Sequence, residues 1–174
     1  MESFEELKET CRMACHERNA CKDGFAAMLD SANTAELMHV WRRWWEDIYE
    51  SKYADIMTER IATVRGRLRR EMRRSDVYVN ESSDRGLVIV CHPPGPVRVG
   101  GTAKCYVFGS GADVTAGDHA QAYVRDGGVK LTLRGYATAK VKAGDCLCHD
   151  RTLLKGAPDS VELHGQARFE KGNG

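Results

Sequence analysis

The chain lacks most of the features that announce a function. Its longest uninterrupted apolar run, Leu87–Cys91, is far short of the roughly 20 residues a membrane-spanning helix needs. Residues 1–8 are acidic and contain no apolar core, so no secretory leader is expected. Twenty-six basic and 25 acidic side chains nearly cancel to +1, which leaves no global field to select nucleic acid or membrane. The seven cysteines include no paired Cys-x-x-Cys knuckle of the kind standard zinc modules use. Their odd number, without an export signal, predicts reduced thiols in a cytosol. Six histidines (16, 39, 92, 119, 149 and 164) stand outside any recognisable catalytic motif, so no enzyme is expected. No cofactor is expected either.

What the chain has is two grammars. Residues 1–75 carry helical periodicity. Ser3 with Glu6 reads as a capping box ahead of Phe4, Leu7, Cys11 and Cys15 on one stripe. A short helix is expected across residues 23–30, and Asn33 with Glu36 marks the next start. Leu37, Trp41, Trp44 and Ile48 then form a buried stripe, widened by Trp45 and Tyr49. This aromatic surplus suggests a dimer or partner interface. Ile56, Ile61, Val64, Leu68 and Met72 complete the helical half, which is expected to cap one end of the second half.

From residue 76 the period changes to two. Val77–Val79 and Leu87–Cys91 read as strands, and the three prolines 93, 94 and 96 make a rigid loop. Between residues 103 and 148 small or apolar residues alternate in six bursts that start 9, 8, 9, 8 and 9 residues apart: Ala103-Cys105-Val107, Ala112-Val114-Ala116, Ala120-Ala122-Val124, Val129-Leu131-Leu133, Ala137-Ala139-Val141 and Cys146-Cys148. Glycine or Gly-Asp precedes most of them. A period of about 17 residues with turn residues at fixed phase predicts a β-solenoid, thin enough to be cored by Ala, Val and Cys. A two-sided roll is expected, with a three-sided helix as the competing geometry. The fold class is thus α+β: a helical head over residues 1–75 and a β-solenoid over 76–174 with an irregular C-terminal cap.

Stacking residues 17 apart puts Tyr106 over Tyr123 over Lys140 and Phe108 over Arg125 over Lys142 on one outer face. The opposite face receives Asp113 over Lys130, and Thr115 over Thr132 over His149. The aromatic and basic face, Tyr106, Phe108, Tyr123, Arg125, Lys140 and Lys142, is the expected partner-binding surface, with burial beneath the helical half as its equal alternative. A second candidate is the run Arg65, Arg67, Arg69, Arg70, Arg73 and Arg74, in which Arg69, Arg70, Arg73 and Arg74 would meet phosphates or an acidic protein surface. Its plain alternative is a solvated helix face paired with local carboxylates. Cys11, Cys15, His16 and Cys21 invite a zinc reading, but their spacing fits small thiols in a helix seam better, and no metal is expected. Gly109-Ser110-Gly111-Ala112-Asp113 is out of phase with a calcium-binding nonapeptide roll.

The Gly-x-Ala-x-Val-x-Ala style of residues 112–116 and 137–143, joined to a helical head over 15–55, resembles uncharacterised proteins of gut-bacterial mobile elements and phages. That resemblance implies no catalytic residues and suggests a protein that binds a host factor, such as a component of its defences. A more distant likeness is to bactofilins, whose β-helices polymerise end to end. The function expected from the sequence is therefore a non-catalytic, cytoplasmic, protein-binding scaffold without membrane contact, with homo-oligomerisation as a further expectation. The alternative is nucleic-acid binding through the arginine-rich helix over residues 60–74.

Overall fold

The computed structural model describes residues 1–16, 22–51 and 54–172, without the side chains of 14–16 and 22. Of the cysteine and histidine cluster, Cys11 is buried; Cys15, His16 and Cys21 lie outside the described side chains. The chain divides into two compact units, Met1–Val79 and Asn80–Gly174.

Among the described residues the first unit holds five helices, α1 (Phe4–His16), α2 (Lys22–Asp30), α3 (Thr34–Glu50), α4 (Ala54–Ile61) and α5 (Gly66–Arg74), and ends in strand β1 (Val77–Val79). The expected starts are present. Ser3 Oγ accepts from the Glu6 N–H at 3.2 Å while Glu6 Oε2 accepts from the Ser3 N–H at 3.3 Å, a reciprocal box. Asn33 Oδ1 likewise accepts from the Glu36 N–H at 3.0 Å. In α3 the core residues are Leu37, Met38, Trp41, Trp45, Ile48 and Tyr49. Trp44 falls at the stripe's edge, beside Gly24, and is half-buried. The aromatic surplus is thus taken inside, with Trp41 and Trp45 in contact at 5.0 Å between ring centroids. The last apolar stripe is shared by two helices, the second of which opens at Gly66, left-handed at φ +61°.

The second unit is a parallel β-solenoid of about five turns. Its strands are β2 (Leu87–Cys91), β3 (Val97–Val99), β4 (Lys104–Phe108), β5 (Asp113–Ala116), β6 (Gln121–Val124), β7 (Lys130–Leu133), β8 (Thr138–Val141), β9 (Asp145–Cys148), β10 (Leu153–Gly156), β11 (Ser160–Leu163) and β12 (Arg168–Lys171). They fall in two sheets, β2-β4-β6-β8-β10-β12 and β3-β5-β7-β9-β11, which is the two-sided roll. Inward positions stack as Val88, Cys105, Ala122, Ala139 and Leu154 in one sheet, and as Val99, Ala116, Leu133 and Cys148 in the other. Cys105, Cys146 and Cys148 occupy this interior, as the alternation indicates.

The coil length changes partway. Strands pair 17 residues apart from β2 to β8 and from β3 to β7, then 15 apart through β12 and β11. Thr132 therefore pairs with Leu147, and His149 does not stack over it. The segment expected to be an irregular cap carries β10, β11 and β12 in parallel register.

Both missing residues come from one corner. The corner after each even-numbered strand shrinks from five residues between β6 and β7 to three between β8 and β9. The opposite corner stays at four residues in every coil: 100–103, 117–120, 134–137, 149–152 and 164–167.

Candidate functional site

The four-residue corner is built the same way five times. Its second residue is always left-handed: Gly101, Asp118, Gly135, Asp150 and Gly165 have φ between +51° and +69°. Glycine adopts this region freely and aspartate tolerates it. Each aspartate then secures the preceding coil. Asp118 Oδ2 accepts from the Gly101 N–H at 3.0 Å, and Asp150 Oδ2 from the Gly135 N–H at 2.9 Å. The fourth residue points inward as Ala103, Ala120, Ala137, Thr152 or Ala167, and its N–H closes the turn on the first residue's carbonyl at 3.0–3.4 Å.

With positions two and four fixed by the turn, positions one and three face outward. Position one runs Gly100, Gly117, Arg134, His149 and His164; position three runs Thr102, His119, Tyr136, Arg151 and Gln166. Parallel backbone bonds hold both columns in register, as in Tyr136 N–H to Asp118 O at 2.7 Å and Arg151 N–H to Gly135 O at 3.0 Å. The side chains stack accordingly. His119 and Tyr136 lie 5.2 Å apart at 10°, and His149 and His164 lie 5.0 Å apart at 14°. The Arg151 guanidinium sits 5.9 Å from the Tyr136 ring centre, and its Nε donates to Gln166 Oε1 at 2.9 Å. Arg134, Tyr136 and Arg151 are exposed, Tyr136 by 51%. Among the described residues, Tyr136 and Leu163, which adjoins His164, are the large apolar side chains in solvent. Tyr136 belongs to this edge of the solenoid, whereas Leu163 ends β11 in the inward ladder of Cys148.

The expected aromatic face is placed differently. Tyr106 stacks on Tyr123 at 4.4 Å and 6°, but Tyr106, Phe108 and Tyr123 are only 2%, 1% and 8% exposed. Strand β2 is buried on both faces, and β4 from Cys105 onward is too; Ile89 and Cys91 share the outward parity of Tyr106 and Phe108. A strand buried on both faces reads as a continuous apolar run, and Leu87–Cys91 and Tyr106-Val107-Phe108 are such runs. The exposure expected from simple alternation fails there for that reason. Arg125 is half-buried; Lys140 and Lys142 are exposed, with Lys140 Nζ 5.6 Å from the Tyr123 ring centre.

In α5 the arginines divide. Arg69 is half-buried and its Nη2 donates to Val79 O at 2.7 Å; Arg70, Arg73 and Arg74 are exposed. Arg67 Nε meets Glu71 Oε1 at 2.6 Å, and the Thr34 hydroxyl donates to Glu71 Oε2 at 2.8 Å. The hydrogen bond from Arg67, then that from Thr34, holds the Glu71 carboxyl below its ordinary value, so it is charged at neutral pH. A shallow cavity of about 380 Å³ beside it is lined by Phe4, Asn33, Arg67, Glu71 and Arg74.

Sequence patterning does not single out His119, Arg134, Tyr136, His149 and Arg151 as site residues. Their signal is the four-residue unit itself: Gly-Gly-Thr-Ala, Gly-Asp-His-Ala, Arg-Gly-Tyr-Ala, His-Asp-Arg-Thr and His-Gly-Gln-Ala. Its spacing changes with the coil, so a fixed 17-residue frame loses it after the third copy. No helix among the described residues is long and apolar enough to cross a membrane. No protein-family model, curated protein or solved structure matches the chain.

Proposed function

We propose that the protein is a non-catalytic binding scaffold that presents the four-residue corner of its solenoid to a protein partner. The observation that carries this reading is the division of labour within the corner. Positions two and four are constrained to Gly or Asp and to Ala or Thr, whereas positions one and three vary, and Arg134, Tyr136 and Arg151 among them are exposed. Binding residues supported by a repeated rigid turn lose less conformational entropy on association than residues on a mobile loop. Exposed Tyr and Arg are the side chains that most often dominate protein interfaces. The resemblance to phage and mobile-element proteins extends the reading to a host factor as the partner.

The test is affinity capture from the native host with the full chain and two variants, Tyr136→Asp at the corner and Lys130→Ala on the flat face of β7. A partner retained by the wild type and by Lys130→Ala, and lost from Tyr136→Asp, supports the proposal. Equal capture by Tyr136→Asp, with the fold intact by circular dichroism, refutes it.

The exposure of Arg70, Arg73 and Arg74 favours a second reading, nucleic-acid binding through α5. It is opposed by the pairing of Arg67 with Glu71, which neutralises one arginine of the run. This reading requires affinity for oligonucleotides that falls steeply with salt and disappears when Arg70, Arg73 and Arg74 are replaced together. Absence of binding at low salt ends it.

A further inference from the structure

We infer that the outer face of the sheet β4-β6-β8-β10-β12 docks on the phosphate backbone of double-stranded nucleic acid, a contact separate from the protein-binding corner. In a strand every second side chain faces outward. On this sheet, counting the residue of the same parity just past β6 and β8, those positions hold Lys104, Arg125, Lys140, Lys142, Lys155 and Arg168. Glu170 is the one carboxylate among them. Arg125 is half-buried and the other cations are exposed. The outer face of the other sheet, counted the same way, balances Arg98, Lys130 and Arg134 against Asp113, Asp145 and Glu162. A nearly neutral chain thus sorts its charge by face. The corner beyond Arg125 and Lys142 adds Asp126 and Asp159, each with Oδ2 on a glycine N–H at 2.7 Å, and cations still outnumber carboxylates two to one.

Charge of this sign selects a polyanion, and the neighbouring side chains select which one. Tyr136 and Leu163, the large apolar side chains in solvent among the described residues, lie off this face, and Leu153 upon it is half-buried. The face therefore lacks the apolar anchors of a protein interface, whose core is depleted in lysine, and those that insert into a bilayer. Single strands are held by stacking bases on free aromatic faces. Tyr123 is only 8% exposed, with Tyr106 stacked on it at 4.4 Å and Lys140 Nζ 5.6 Å from its ring centre. What remains is a rigid lattice of lysines. Lys140 pairs with Lys155 on the next strand, about 4.8 Å away, and Lys142 follows two residues on, about 6.7 Å along the chain. A duplex carries one charge per about 1.7 Å of its axis, so such a lattice meets phosphates whatever the base sequence.

The experiment is fluorescence anisotropy of a labelled duplex titrated with the full chain at about 50 and 200 mM salt. Unlabelled duplex, poly-glutamate and phosphatidylserine vesicles of equal total charge serve as competitors. The expected result is saturable binding, equal for two unrelated duplex sequences, that weakens roughly 40- to 150-fold between the two salts, as three to four neutralised phosphates require. Lys140→Gln, Lys142→Gln and Lys155→Gln together should weaken it about tenfold or more at low salt and flatten its salt dependence, with the fold intact by circular dichroism. Arg98→Gln with Lys130→Gln, on the opposite face, leaves both unchanged. No saturation at low salt, or unchanged affinity in the triple lysine variant, overturns the inference. Loss confined to a variant lacking Arg70, Arg73 and Arg74 moves the binding to α5 and overturns it too. Stronger displacement by poly-glutamate or by vesicles than by unlabelled duplex makes the occupant an acidic protein or a bilayer, which also overturns it.

Discussion

Cys105 sits between Val88 and Ala122 in the inward stack and is fully buried. Burial pushes its thiol from the ordinary 9.0 up to about 12, so it carries no thiolate at neutral pH. Burial does the same to Cys146, with smaller contributions from Cys148, Asp145 and Asp159. Iodoacetamide at pH 8 should leave both unmodified in the native chain and alkylate them after denaturation, read by mass spectrometry. The linkage has a definite sign. Because the folded pKa lies above the unfolded one, these thiols leave stability intact below about pH 9 and reduce it as pH rises toward about 12. Chemical denaturation midpoints should therefore fall across that window and recover partly in Cys105→Ala. Asn80 is a different kind of critical residue. Its Nδ2 donates to Cys91 O at 2.8 Å and its Oδ1 accepts from the Cys91 N–H at 2.7 Å, so a side chain supplies what a neighbouring strand would. Asn80→Ala should cost about 1–3 kcal/mol in urea unfolding, because both groups of a buried residue lose these bonds.

Gly156 makes the change of coil length visible at the scale of one strand. It occupies the inward ladder of Val90, Val107, Val124 and Val141, where the pattern calls for another valine. Its φ of +124° excludes any residue but glycine in comfort, and an added Cβ would run into the Val141 carbonyl. Gly156→Val should destabilise the chain by about 2–4 kcal/mol in spite of matching the ladder. A cap behaves more simply: Asn33→Ala at the start of α3 should cost about 1 kcal/mol, since the Glu36 N–H loses its acceptor. These elements also show what sequence patterning can carry. The alternating bursts place the inward Ala, Val and Cys positions, and the Ser3/Glu6 and Asn33/Glu36 pairs mark two helix starts, because period two and helix starts are local properties. They do not reveal the contraction from 17 to 15, which depends on how tightly the shrinking corner packs over smaller turns. They misplace Tyr106 and Phe108 for a related reason: alternation states which side a residue faces, and burial of that side is a tertiary property. The corner motif is written in the chain, but its variable positions carry no apolar periodicity to draw attention to them.

Across the whole solenoid, stability should fall toward the C-terminal coil. Inward residues of earlier coils are fully covered, as Leu154 and Cys148 are at 0% exposure, whereas Leu163 in the same ladder as Cys148 is 45% exposed. Strands β11 and β12 are exposed or half-buried at every position. Hydrogen exchange should find the amides of β4 to β8 among the slowest and those of β11 and β12 among the fastest in the second unit, because coils open from an end. A uniform rate along the unit would contradict this gradient. The contrast between the two corners has one more consequence. Length variation is absorbed on one edge, so the other can be rewritten two letters at a time without disturbing the register of any coil. A library that randomises Arg134, Tyr136, His149 and Arg151 alone should yield folded chains with altered partner choice, each coil acting as an interchangeable tile in a ready-made binding reagent.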